Sequence, residues 1–180
     1  MNAKTLLTLS LGLLLWAGCA GKPASDTYTY RGSMTGADMD MTLDNLLESS
    51  EDRSYLIWVN AVRQREGAWD STYFLDVRYA GASDAGYMDI GPGETLLLTV
   101  DGQPMRLRSA GSAGSRSVTP AGHYAENAVY PIKPEDLKKI ARAKEVKVQV
   151  VGQAHSHYRN FKPENIEKFR KFVLMHMGGF

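Results

Sequence analysis

The chain has 180 residues, 43% of them hydrophobic and 23% charged, with a formal net charge of +1. That length supports one domain with a tail, and the near-average composition excludes a collagen-like or wholly disordered chain. The charge balance excludes a general affinity for nucleic acid or anionic membranes on charge alone, and the single cysteine can neither close an intramolecular disulfide nor build a zinc or iron–sulfur cluster.

The amino end has the layout of a secretory signal. Lys4 supplies a positive start, Leu6 to Trp16 forms an apolar core, and the small residues Ala17 and Gly18 precede Cys19. The core is shorter than the roughly 20 apolar residues needed to span a bilayer. Removing residues 1–18 takes away Lys4 and no acid, which leaves the two signs equal. Any electrostatic steering of a partner must then be local.

Trp16-Ala17-Gly18-Cys19 resembles the lipobox of bacterial lipoproteins, with Trp16 where that family usually has Leu. The resemblance implies cleavage before Cys19, a diacylglycerol on its sulfur and acylation of the new amino terminus. Several acyl chains anchor stably where one does not. Ala20-Gly21 lacks the aspartate that resembles an inner-membrane retention signal, which implies the outer membrane and a periplasm-facing domain. The alternative is an ordinary secretory signal cut after an Ala-x-Ala-like site.

Residues 19–40 then read as the lipidated cysteine and a tether, and 41–180 as one globular domain. Ala20 to Asp26 is small and polar. Thr27-Tyr28-Thr29-Tyr30 alternates and can begin a strand. Leu43, Leu46 and Leu47 have helical spacing after Thr42, predicting a short helix over 42–52. Tyr55–Val62 and Thr72–Tyr79 are β-branched and aromatic, and read as strands joined by a turn at Glu66-Gly67-Ala68-Trp69. Asp101-Gly102 between the apolar runs Thr95–Val100 and Gln103–Arg108 specifies a tight hairpin, and Pro104 places the return strand at a sheet edge. Ser109–Ser117 reads as a flexible loop, and Tyr124–Ile132 as a strand. Pro134–Lys144 is a predicted helix, Val146–Val151 a strand and Pro163–Met177 a closing helix. Both helices carry Pro at the first position and Glu after it. The expected fold is α+β: a mainly antiparallel sheet or small β-sandwich, with both helices in the C-terminal third. Leu98–Phe172 resembles a pattern in secreted bacterial proteins, a Leu-x-Val-Asp-Gly hairpin followed by strand, helix, strand and helix. It implies a periplasmic β-rich domain and no activity.

Few residues suggest chemistry. His155 and His157, at i and i+2 of an extended segment, face one way, which suits a metal ion or proton exchange; His176, His123 or an acid such as Glu126 is the third candidate ligand. Met34, Met39 and Met41, with Met175 and Met177 flanking His176, add thioethers that suit copper, although methionine also fills cores. There is no Gly-x-Ser-x-Gly, no phosphate loop and no thiol beyond Cys19. Trp69 in its turn and Tyr158 are candidate partner anchors. The expected function is therefore a non-catalytic binding or envelope-assembly factor, anchored through a lipid on Cys19, with an envelope protein or polymer as partner and no nucleic acid. The alternatives are a periplasmic copper or zinc protein using His155, His157 and His176, and a cryptic hydrolase.

Overall fold

A computed structural model describes residues 27–31, 38–42, 44–48, 55–66 and 70–180. Among these residues ten strands and two helices follow in the order β1 (Thr27–Arg31), β2 (Asp38–Thr42), β3 (Tyr55–Glu66), β4 (Asp70–Gly81), β5 (Gly93–Val100), β6 (Gln103–Ser109), β7 (Arg116–Val118), β8 (Tyr124–Pro131), α1 (Pro134–Arg142), β9 (Val146–Val151), β10 (Ser156–Asn160) and α2 (Pro163–His176). The strands form a six-stranded sheet, β1-β2-β3-β4-β8-β7, and a four-stranded sheet, β10-β9-β5-β6, antiparallel throughout. With both helices in the C-terminal part, this is the expected α+β fold.

Alternation decides which side chains meet. On β4 the odd positions Tyr73, Leu75, Val77 and Tyr79 are buried, and on β3 so are Ile57, Val59 and Ala61. They join Leu96 and Leu98 of β5 and Val146, Val148 and Val150 of β9 in one hydrophobic cluster. Leu137 and Ile140 of α1 and Ile166, Phe169 and Phe172 of α2 complete it. The helices pack on each other, and α2 also reaches β2 and β3. Truncating one of these fully buried side chains to Ala costs about 2–5 kcal/mol.

Turn chemistry matches the backbone where the sequence is explicit. Asp101 and Gly102 have φ of 47° and 83°, as a type I′ hairpin requires. The Asp101 carboxylate also accepts the backbone N–H groups of Lys144 and Glu145, each at 2.9 Å, tying the hairpin to the end of α1. Pro104 lies on β6, an edge strand, as expected. At α2, Asn165 Oδ1 accepts the Lys162 N–H at 2.8 Å and closes the first turn.

One expectation is overturned and one is refined. The helix expected from Thr42 is not formed by the described part, Asp44–Glu48, which instead makes isolated β-bridges from Leu46 to Trp58 and from Glu48 to Asn160. Leu47 N–H donates to Ile57 O (2.9 Å), Val59 N–H to Asn45 O (3.1 Å), and Glu48 N–H to Asn160 O (2.9 Å). The segment thereby stitches β3 of one sheet to β10 of the other. Open backbone groups on both strands outweigh a local helical spacing of three leucines. The loop expected at Ser109–Ser117 is tied down. Ser112 is fully buried, has both Ile90 O (3.2 Å) and the Glu126 carboxylate within reach of its one hydroxyl hydrogen, and leads into β7. Gly111 permits this approach, with φ of 87° and a position where a Cβ would sit 2.9 Å from Ile90 O.

Candidate functional site

The even positions of β3 and β4 face away from the core. Directly opposed residues of an antiparallel pair share a face. Register therefore places Trp58 beside Arg78 and Asn127, Asn60 beside Asp76 and Val129, and Val62 beside Phe74. Met41 opposes Val62 from β2. Neither helix covers this outer face. It carries two adjoining hollows of about 390 Å³ and about 570 Å³. The first holds Trp58, Asn60, Ala80 and Ser117; the second holds Met39, Val62, Phe74 and Val129. Met41, Arg78 and Asn127 line both and form the waist between them.

The waist is pre-organised. Asp76, 6% exposed, accepts the Arg78 Nε–H at 2.7 Å and an Asn127 side-chain N–H on its other oxygen. One buried carboxylate thus fixes both neighbours across the sheet, in the shorter, stronger geometry of ionised acceptors. The Arg78 side chain is half exposed, and beyond Asp76 its only partner among the described residues is the Met41 sulfur, 3.5 Å from Nη2. Below the first hollow a second polar network holds the floor. Asn60 Oδ1 accepts the Asn45 N–H (3.3 Å), Thr42 Oγ accepts the Ala61 N–H (2.9 Å), and Asn165 donates to Asn45 Oδ1 (3.2 Å). Rigid strands and satisfied buried polar groups leave this concavity pre-formed.

The histidines do not converge. His155 and His157 have ring centroids 6.3 Å apart and share one side, as the i, i+2 spacing requires. His157 packs on Tyr55 (4.4 Å) and Tyr79 (6.1 Å), closing one end of the core. His176 sits at the other end of β3. Its Nδ1 is 3.3 Å from Arg63 Nη1 and 3.7 Å from Asp40, while its buried Nε2 has no hydrogen-bond partner among the described residues. Tyr55 and Arg63 are eight residues apart on one strand, ~26 Å at ~3.3 Å per residue, so His176 cannot complete a site with His155 and His157. Among the described residues no three of His, Cys, Asp and Glu group to hold a metal. Burial holds the His176 imidazole below its ordinary pKa; Asp40 opposes that, and Arg63 and Arg65 reinforce it. The neutral ring accepts from Arg63.

Tyr158 is 67% exposed on the outer side of β10. Met39 and Met41 line the outer-face hollows, Met175 is exposed, and Met177 packs against the core. Cys19, Met34 and Trp69 lie outside the described residues. Sequence reasoning did not single out Asp76, Arg78 and Asn127. The available signal was two opposite charges at i and i+2 inside an apolar strand, Phe74-Leu75-Asp76-Val77-Arg78-Tyr79. Glu126, the acid named as a third metal ligand, is spent elsewhere: its carboxylate is fully buried and accepts the backbone N–H groups of Asp89 (3.0 Å) and Ile90 (2.6 Å), with Arg116 at 3.7 Å.

No helix among the described residues is long and apolar enough to cross a membrane. No family model, no curated protein and no solved structure matches this chain.

Proposed function

We propose that this protein is a lipid-tethered, periplasm-facing factor that binds an envelope component, without catalysis, on the outer face of its six-stranded sheet. The tether and location rest on the apolar stretch Leu6–Trp16 and on Trp16-Ala17-Gly18-Cys19. The single observation that carries the binding reading is the Asp76-anchored pair Arg78 and Asn127 at the waist of two apolar hollows. Convergent polar groups within a largely apolar concavity are the mark of a binding site. The volumes match a short extended ligand, or one stretch of a longer one, rather than a broad flat contact.

Two measurements test the two halves. Intact mass of the protein from its native membrane is expected to show loss of residues 1–18 and acyl chains on Cys19; an unmodified Cys19 refutes the tether. A photo-crosslinker at Val129, 44% exposed and lining the groove, is expected to give a discrete adduct in intact cells. One at Leu174, exposed on α2, is expected to give none. Equal labelling from both positions refutes the groove.

A further inference from the structure

We infer that the groove's ligand is an extended polypeptide segment carrying an acidic side chain between two apolar ones, with the carboxylate seated on the outer edge of Arg78. This rests on the binding reading above and names the chemistry of the same site.

The first argument is charge. Among the described residues Arg78 is the one cation lining either hollow, and two of the three carboxylates that line them, Asp76 and Glu126, are already engaged by donors of the protein. Asp76 takes its Nε edge, so the guanidinium plane is fixed by the protein and its Nη1–Nη2 edge points away from that carboxylate. The Met41 sulfur is a weak acceptor for Nη2. A planar two-nitrogen edge matches a carboxylate bidentately, and holding it in place beforehand removes the ordering cost. The exposed Asp44 lines the Trp58 hollow and discourages a second acid there.

The second argument is spacing. The hollows succeed one another along β3, centred near Trp58 and Val62, ~13 Å apart at ~3.3 Å per residue. An extended polypeptide puts the side chains of i, i+2 and i+4 on one face over the same span. Apolar side chains at i and i+4 fill the hollows, and an acid at i+2 reaches the waist. An acyl chain carries its carboxylate at one end rather than in the middle. A glycan has no side groups bulky and apolar enough to fill a hollow of Met39, Val62, Phe74 and Val129.

The test is selection of a fully randomised library of acetylated, amidated heptapeptides on the full protein purified in detergent, followed by titration of the enriched sequences. The expected result is enrichment of apolar-x-acid-x-apolar peptides. Replacing the peptide's acid by its amide, or making Arg78→Gln, is expected to weaken binding about 10- to 100-fold, the worth of a hydrogen bond to a charged group. Arg78→Lys retains the charge, loses the fork and is expected to recover only part. Circular dichroism and the melting curve verify that both variants fold, as a half-exposed side chain allows. Enriched peptides without an acid, or binding indifferent to Arg78→Gln, overturn the carboxylate contact. No enrichment at all overturns the polypeptide ligand. In either case a Val129 adduct shows that the groove still binds something, and its absence shows that the binding reading itself fails.

Discussion

Glu126 offers the sharpest test of how this fold is held. Its carboxylate is fully buried, receives the N–H groups of Asp89 and Ile90 and the Ser112 hydroxyl, and lies 3.7 Å from Arg116. It therefore pins the connection between β4 and β5 and the connection between β6 and β7 onto β8. Glu126→Ala leaves the Asp89 and Ile90 N–H groups without their acceptor, while the Ser112 hydroxyl can turn fully to Ile90 O. Each orphaned group costs about 1–3 kcal/mol, and water entering the space returns part of that. Arg116 is only partly buried and keeps Asp89, so it adds little. The expected loss is about 3–5 kcal/mol, a large share of the roughly 5–15 kcal/mol that holds a typical domain. Glu126→Gln keeps one acceptor oxygen but turns an N–H group toward a donor, and is expected to lose about 1–3 kcal/mol. Urea denaturation measures both. Amide hydrogen exchange adds a local readout, because the N–H groups of Asp89 and Ile90 are expected to lose protection ahead of Leu75 or Val77. A Glu126→Ala loss below about 1 kcal/mol, with Asp89 and Ile90 still protected, would refute this account of the buried carboxylate.

Other outcomes follow from single residues. His176 is held below its ordinary pKa in the fold, so as pH falls the unfolded chain takes up the proton first. Its contribution to stability is complete above about pH 6.5 and declines as pH falls below that value toward the depressed folded one. The groups facing it are Asp40, Arg63 and Arg65. The melting temperature is expected to drop between pH 7.5 and 5.5, and His176→Gln is expected to flatten that part of the profile; an unchanged slope refutes the assignment. Gly152 allows a close backbone approach, since a Cβ there would run into the Met88 carbonyl. Gly152→Ala is therefore expected to cost about 1–3 kcal/mol in denaturant melts, with an effect below ~0.5 kcal/mol contradicting the packing. Tyr158, exposed on the other sheet, is expected to tolerate replacement by Ala within about 0.5 kcal/mol.

Much of the fold was legible in the residues because the deciding physics is local. Asp101-Gly102 demands positive φ at two successive positions, and the chain adopts it. Pro134 and Pro163 start helices because a first-turn N–H is not missed. Alternation in Val146–Val151 needs one buried face, and the strand shows it. The i, i+2 spacing of His155 and His157 fixed their common side, and nothing in it could reveal Tyr55 and Tyr79 beneath them.

Only the tertiary structure decided the rest, where the controlling partner is distant in sequence. Leu43, Leu46 and Leu47 satisfy a helical spacing, yet Asp44–Glu48 is not helical because β3 and β10 offer it backbone partners ten or more residues away. Ser109–Ser117 has the composition of a slack loop, and the buried carboxylate of Glu126, fourteen residues beyond Ser112, holds it. The groove is the extreme case. Residues from β2, β3, β4, β7 and β8 line it, and Asp76 and Asn127 meet across fifty-one positions. Sequence alone determined the tight hairpin, the starts of both helices and most of the strands. Which polar side chains meet on the uncovered face depends on strand order and register, and those follow from burying the opposite face of the same sheet.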